Sequence, residues 1–396
     1  MKDNLVSKLD LIQARVEFIP DDWKLLQVGK SLTIKNNFRK PISQEIRSTI
    51  QGEYPYYGPT KIQDYISEYE QDGTYALIGE DGDHFLKYST MAQTQYISGK
   101  CTVNNHAHIL ESTKICDSKW FYNYFNNRDI TNFLSRQGAG RFKLNKATLE
   151  KLPMLVPPLP EQRKIAQILS IWDKAINTTE SLIANSQQQK KFLIQQLLTG
   201  KKRFTEFKDE WKKVLVSDVC EIGRGRVISK QEIESNAGIY PVYSSQTLNN
   251  GVMGSINTYD FEGDYVTWTT DGVNAGTVFY RKGKFNCTNV CGTLKPITKF
   301  LDTKYLALAL SQISYKYVSH TLANPKLMNG VMGTVSFMLP SIIEQQKIAS
   351  VLTAADQETD TLQQKLAYLK QEKKALMQQL LTGKRRVKVD NETEAA

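Results

Sequence analysis

Apolar residues recur every three or four positions along two stretches of this chain. The first stretch carries Ile165, Leu169, Trp172, Ile176, Ile183, Leu193 and Leu197, and the second Ile348, Leu352, Leu362, Leu366, Leu369, Leu376 and Leu380. That spacing predicts two long helices, each with an apolar seam of the coiled-coil kind. Their ends are marked too. Ser341 with Glu344 makes a Ser-x-x-Glu capping box, while Pro158 replaces the serine in the first stretch and Pro160 and Glu161 suit a first turn. Gly200 and Gly383 stand where a left-handed C-terminal cap belongs, and Lys201, Lys202 and Arg203 are expected at the negative end of the dipole. A helix from Glu161 to Leu198 would be about 57 Å long.

The two stretches are copies. Residues 161–203 align without a gap to residues 344–386, at a constant offset of 183 from Glu161–Glu344 to Gly200–Gly383, with 21 of 43 positions identical. Two unrelated helices sharing Leu and Lys would not also share a Glu-Gln start and a Leu-Leu-Thr-Gly-Lys end. The segments in front, 1–155 and 207–340, are rich in Gly, Tyr, Thr, Val and Asn. Tyr75-Ala76-Leu77-Ile78, Tyr265-Val266-Thr267-Trp268 and Gly276-Thr277-Val278-Phe279-Tyr280 read as strands bounded by turns. The segments echo each other weakly: Asp22-Trp23-Lys24 with Glu210-Trp211-Lys212, Tyr54-Pro55-Tyr56-Tyr57 with Tyr240-Pro241-Val242-Tyr243, and Asp81-Gly82 with Asp271-Gly272. Two diverged modules on two matching rods suit a protein that recognises two different features a fixed distance apart.

Charge sharpens this picture. The 396 residues carry 51 Lys+Arg against 41 Asp+Glu, a formal net charge of +10. Such a surplus favours a polyanionic partner, nucleic acid first, over a merely basic surface. Arg224, Arg226 and Lys230 lie in a Gly-containing looped segment, and Lys35, Arg39 and Lys40 hold a similar place in the first module. Such loops suit phosphates, and Arg also suits guanine. Tyr57, with Thr60 and Lys61 in the turn that follows it, and Ser244, Ser245 and Gln246 in the matching turn, offer polar groups to base edges. An ordinary solvated loop is the alternative for each of these twelve residues.

Catalytic chemistry finds no motif. Gly223-Arg224-Gly225 lacks the third glycine of a dinucleotide loop, and Asn324-Pro325-Lys326 is not an Asn-Pro-Pro-aromatic methyltransferase motif. His106 and His108 could share a strand face, but no Cys or carboxylate cluster completes a metal site, so both read as structural and no metal is expected. The cysteines Cys101, Cys116, Cys220, Cys287 and Cys291 are odd in number and form no Cys-x-x-Cys pair. They read as reduced thiols of a cytoplasmic protein. Met1-Lys2-Asp3-Asn4 lacks the apolar run of a signal peptide, and no apolar stretch approaches the ~20 residues of a membrane span.

The ordered, duplicated motifs resemble the specificity subunit of type I restriction-modification systems over nearly the whole chain. Pro-Pro-Leu-Pro-Glu-Gln-Arg-Lys-Ile-Ala at 157–166 and Glu-Gln-Gln-Lys-Ile-Ala at 344–349 look like its Pro-rich turn and helix start. Pro-Ser-Ile-Ile at 340–343 departs from the usual Pro-Pro-Leu. Tyr54 to Gly58, Gly79 to Gly82, Val103 to His108 and Gly272 to Gly276 look like its recognition-domain motifs. The resemblance implies an α+β fold of two β-rich target-recognition domains, 1–155 and 207–340. Helical regions at 156–206 and 341–388 would follow them and pair as an antiparallel coiled coil, ahead of a flexible tail at 389–396. It further implies a non-enzymatic subunit that reads a bipartite asymmetric site on double-stranded DNA. The partners it implies are two modification subunits, meeting Glu161, Gln162, Glu344 and Gln345, and two restriction subunits. S-adenosylmethionine, ATP and magnesium are expected in those partners and none in this chain. A partner of another methyltransferase assembly, or a coiled-coil scaffold without DNA, are the competing readings.

If the helices act as a ruler, seven residues added to both, at Gln187–Gln189 and the facing position, should preserve the seam. They would lengthen the rod by about 10 Å, roughly three base-pair steps. Mapping of methylated adenines should then show a wider gap between unchanged half-sites, and an unchanged gap with activity retained would contradict the ruler.

Overall fold

The structure is a computed structural model and describes residues 8–137, 141–320 and 324–389. Up to the first rod, short helices α1 (Lys8–Ala14), α2 (Val28–Ser31), α3 (Gln44–Thr49), α4 (Ser118–Phe125) and α5 (Lys146–Lys151) accompany ten strands. The strands are β1 (Lys24–Gln27), β2 (Thr33–Ile34), β3 (Gln51–Tyr57), β4 (Ile62–Ile66), β5 (Gln71–Gly79), β6 (Thr94–Val103), β7 (Ala107–Glu111), β8 (Ser135–Gln137), β9 (Arg141–Lys143) and β10 (Pro153–Val156). Helix α6 (Leu159–Leu197) follows. The second half repeats the plan with β11 (Lys212–Leu215), α7 (Val216–Val219), β12 (Cys220–Arg224), α8 (Lys230–Ser235), β13 (Ala237–Tyr243), β14 (Val252–Ile256), β15 (Phe261–Thr269), β16 (Val278–Cys287) and β17 (Cys291–Pro296). It closes with α9 (Thr303–Ile313), α10 (Asn329–Gly333), β18 (Ser336–Leu339) and α11 (Ile342–Leu380). The chain packs as two units, one of residues up to Thr179 and from Lys365, the other Glu180–Gln364.

Each module is built on one six-stranded sheet, with order β2-β7-β5-β6-β3-β4 in the first and β12-β17-β15-β16-β13-β14 in the second. Position by position these are the same topology. Among the described strands of these sheets, the β3–β6 and β13–β16 pairings are parallel and the others antiparallel. The run Tyr75-Ala76-Leu77-Ile78 is apolar throughout because β5 is covered on both faces: Ala76 and Ile78 enter one core, Tyr75 and Leu77 another. In β15, Val266 and Trp268 likewise enter the larger core of their unit. Gly99 and Gly283, with φ of +90° and +92°, take the left-handed backbone that lets each long hairpin fold back. One end of β6 thereby pairs Val103 with Tyr57, while at its other end Gln95 Nε2 reaches Gly58 O at 2.8 Å. The strand expected from Gly276 begins only at Val278, because Gly276 (φ +84°) donates its N–H to Thr269 O and closes the turn.

Both rods are helical, and both begin two residues before their Glu-Gln pairs. Ser341 Oγ accepts from Glu344 N (3.4 Å), one half of the predicted capping box, while the Glu344 carboxylate turns to Arg203 and Trp211 instead of back to Ser341. At the other end Gly200 and Gly383 (φ +70° and +71°) are left-handed, with Lys202 N bonded to Gln196 O and Arg385 N to Gln379 O. The pairing is antiparallel within each unit. In one unit Glu161 meets Arg386 and Asp173 meets Lys373; in the other Ser186 meets Thr359 and Lys190 meets Asp356. The apolar positions divide their labour in a way the spacing did not reveal. Ile165, Leu169, Leu380 and Leu381 join the core of the first module, and Leu197, Ile348 and Leu352 that of the second. Ile183, Leu362, Leu366 and Leu369 are only half-buried, and the buried Ser186–Thr359 hydroxyl pair, 2.9 Å apart, takes a seam position.

Gln162 and Gln345 explain how a module is fixed to its helix. Gln162 Oε1 accepts Asp117 N (2.8 Å), and its Nε2 donates to Ile115 O and Pro157 O. Gln345 does the same with Asp302 N, Phe300 O and Pro340 O. Both are fully buried. Gln345→Ala would strand one N–H and two carbonyls, and we expect a loss of roughly 2–4 kcal/mol in the unfolding of that unit, read by denaturant titration. A loss near zero would mean that water replaces the amide.

Candidate nucleic-acid interface

Of the basic residues singled out, Lys40 and Arg226 occupy matched positions at one end of each sheet, and Arg39 and Arg224 reach matched carbonyls there. Lys40 N donates to Val103 O (2.9 Å) as Arg226 N donates to Cys287 O (3.1 Å). Tyr57 O accepts from Asn104 N (3.0 Å) as Tyr243 O accepts from Thr288 N (2.8 Å). Arg39 Nη1 reaches Asn105 O (2.9 Å), and Arg224 Nε reaches Asn289 O (2.5 Å). The two modules thus assemble the same tip from the loop after β2 or β12, the turn before β7 or β17, and the turn after the Tyr-Pro-x-Tyr strand. That last turn holds Thr60 and Lys61 in the first module, closed by Gly58 N to Lys61 O (2.9 Å). In the second it is longer, holds Ser244, Ser245 and Gln246, and is closed by Ser244 N to Gly251 O (3.0 Å).

Most of these cations are already paired. Lys35 meets Glu111 (3.2 Å), Arg39 meets Glu80 (2.6 Å), Lys40 meets Glu70, and Arg226 meets both Glu232 (2.7 Å) and Asp260 (3.0 Å). Arg224 Nη2 donates to Thr270 Oγ1 at 3.2 Å. Their first task is to hold the tip together. Burial would raise the Glu80 carboxyl, but hydrogen bonds from Arg39 and Lys143 outweigh it and hold Glu80 below the usual range. Among the described residues, Lys61 and Lys230 have no ionic partner. Tyr57 is half-buried, and burial pushes its phenol up. Beside the first tip runs an open groove of about 450 Å³ lined by Ser43, Arg47, Gln63, Asn104, Asn105 and His106. Asn104 Nδ2 donates to Gln63 Oε1 (3.1 Å) inside it. Gln63 and Gln95 went unnoticed in the sequence, where single glutamines in strands carry no signal.

Four expected contact residues are corrected. Glu161, Gln162, Glu344 and Gln345 are at most 2% exposed, so none is offered to a modification subunit. Glu161 accepts Trp23 Nε1 (2.9 Å) and two bonds from Arg386 (2.8 Å each); Glu344 accepts Trp211 Nε1 (3.1 Å) and two from Arg203 (2.9 and 2.8 Å). Arg203 therefore leaves the end of its own helix, where the dipole was expected to hold it, for the start of the other. The remaining motifs are structural. His106 lies in a turn against Asp81 (3.0 Å), whereas buried His108 donates from Nε2 to Leu144 O (2.7 Å) and accepts at Nδ1 from Asn36 (2.9 Å). Gly225 is glycine because a Cβ there would come within 2.2 Å of Cys287 O. All five cysteines are free and buried, and burial raises the thiols of Cys101 to about 11 and Cys220 to about 12. Among the described residues no group of three His, Cys, Asp or Glu could hold a metal, and no helix is long and apolar enough to cross a membrane. Residues 1–4 and 390–396, on which the leader and tail expectations fall, lie outside the described residues.

Comparison with known proteins agrees with this duplicated architecture. The family model for the type I restriction modification DNA specificity domain matches twice, over residues 20–205 and 208–371. The N-terminal part of a putative type I specificity subunit of Mycoplasma pneumoniae is 50% identical over 137 residues, 35% of this chain and 73% of that one. A second putative specificity subunit of that organism is 39% identical over 209 residues, 52% of this chain and 84% of its own length. The crystal structure of a type I restriction-modification S subunit from M. genitalium has the same fold, with a TM-score of 0.66 at 15% identity, over 92% of this chain and 97% of that one. With two matches that together span most of its length, this chain belongs to the type I restriction-modification DNA specificity family.

Proposed function

We propose that this chain chooses the DNA site for a type I restriction-modification complex and performs no chemistry itself. Each β-rich module reads one half of a bipartite, asymmetric site on double-stranded DNA in the cytoplasm. Two modification subunits supply S-adenosylmethionine and methylate adenine. Up to two restriction subunits add ATP- and magnesium-dependent translocation and cleavage. One observation carries this reading: the modules share strand order and tip contacts yet differ in the side chains presented there. Glu80 stands where the second module has Thr270, and the turn Gly58–Lys61 stands where it has the longer turn 244–251. A shared scaffold with altered tips is what reading two different sequences requires.

Roles follow from chemistry. Lys61 and Lys230, ionically unpaired among the described residues, suit phosphates, which position the protein without reading sequence. Thr60, Ser244, Ser245 and Gln246 suit base edges. Lys35, Arg39, Lys40, Arg224 and Arg226 shape the tip and reach DNA by exchanging an internal partner for a phosphate or base, and half-buried Tyr57 supports the turn beside them.

Replacing residues 207–340 by the matching segment of a relative should change one half of the methylated site and leave the other half and the spacing intact. Genome-wide mapping of methylated adenines reads the outcome, and a change in both halves would refute modular reading. The rigorously purified chain, assayed alone for methyl transfer and cleavage, should give neither. Turnover by it would overturn the non-catalytic assignment.

A further inference from the structure

The two modules share one register along their long hairpins, but side chains differ at matched places, and one difference puts an arginine in a core. Ile97 pairs with Tyr75 across β5 and β6; at the matched place Arg281 pairs with Tyr265 across β15 and β16. Arg281 is only 3% exposed. Its guanidinium lies 3.6 Å from the centre of the Tyr243 ring and 4.4 Å from that of Phe279, and its Nε donates to Thr267 Oγ1 at 3.1 Å. Among the described residues no carboxylate pairs with it. A desolvated cation without a counter-ion is costly, and two ring faces and one hydroxyl offset that cost only in part.

What the guanidinium touches next gives it a purpose. Its Nη2 abuts Gly251 so closely that a Cβ there would lie 3.0 Å away. Gly251 ends the turn 244–251, in which Asn249, Asn250 and Gly251 are all left-handed, with φ of 48°, 53° and 82°. Two successive asparagines in that region cost energy and persist only where the surroundings fix them. The same turn carries Ser244, Ser245 and Gln246, and Gln246 Nε2 bonds to Val252 O. The first module does without this device: its short turn is braced by Gln95 Nε2 on Gly58 O at 2.8 Å, and apolar Ile97 replaces the arginine.

We infer that Arg281 is a positioning residue for the second half-site. Clamped by Tyr243 and Phe279, it holds the turn 244–251 in the shape that presents Ser244, Ser245 and Gln246 to the bases. This rests on the reading above, in which the tip meets DNA. Arginine suits the task because its planar group stacks and donates at once, which lysine cannot do.

The test uses the full chain in complex with its modification subunits and selects bound duplexes from pools randomised in each half-site. The wild-type complex should select both halves; failure to do so would refute DNA reading itself, not the role of Arg281. Arg281→Met and Arg281→Lys should each retain the first half and the spacing, and lose on the order of tenfold in discrimination within the second. Phe279→Leu, which removes one side of the clamp and keeps the arginine, should give a smaller loss in the same half. Thermal unfolding of the same samples accompanies the selection. A loss spread over both halves, or one that scales with lowered Tm across the three variants, would assign Arg281 a general structural role and overturn the inference. An unchanged second half-site in either arginine variant would overturn it as well.

Discussion

Everything in this molecule hangs on a buried carboxylate at the start of each long helix. Glu161 and Glu344 are desolvated and would be untenable alone. Each is satisfied by a tryptophan N–H from the strand region of its own module and by a two-pronged arginine from just past the end of the other helix. One side chain therefore fixes three things together: where the module starts, where its helix starts, and which way the opposite helix runs. The adjacent glutamine then ties the module's loop ahead of α4 or α9 to the same helical turn. In both halves the Glu-Gln pair is committed to packing.

This geometry separates what is common from what is free to vary. The carboxylate, amide and glycine cap recur in both halves because they join elements. At the module tips, the backbone contacts recur while the side chains change, as between Glu80 and Thr270. Internal pairing of Lys40, Arg39 and Arg226 keeps these tips rigid. A rigid, partly neutralised tip loses less entropy on binding than a fringe of free lysines would, and its polar groups discriminate where a bare positive charge would not.

Local signals made the helices legible. The three-four apolar spacing, the Ser341–Glu344 box and the two glycine caps act within a few residues and can be read along the chain. Strand identity was legible where apolar runs were long, as at Tyr75–Ile78, and failed by two residues at Gly276, where the backbone turns. What could not be read was pairing between distant segments. Arg203 looked like a helix-end cation because its partner, Glu344, lies far along the chain; Lys40 and Arg226 looked free because Glu70 and Asp260 lie in distant loops, just ahead of β5 and β15. The tip's location was foreseeable from the weak echo of Tyr-Pro-x-Tyr. The brace beneath it was not, since a lone arginine in a strand gives no periodic signal.

The antiparallel closure also sets an order of assembly during synthesis. The second unit draws only on residues between Glu180 and Gln364, so its chain is complete before the helix α11 has ended. The first unit, although begun first, lacks Leu380, Leu381 and the Arg386 that neutralises Glu161 until the end of α11 and the residues just past it have been made. At about 5–20 residues per second, its half-built core waits many seconds with a glutamate it cannot yet bury. The earlier-made module is therefore the later to mature, and a nascent chain paused between Gln364 and Leu380 holds the second unit complete and the first still open.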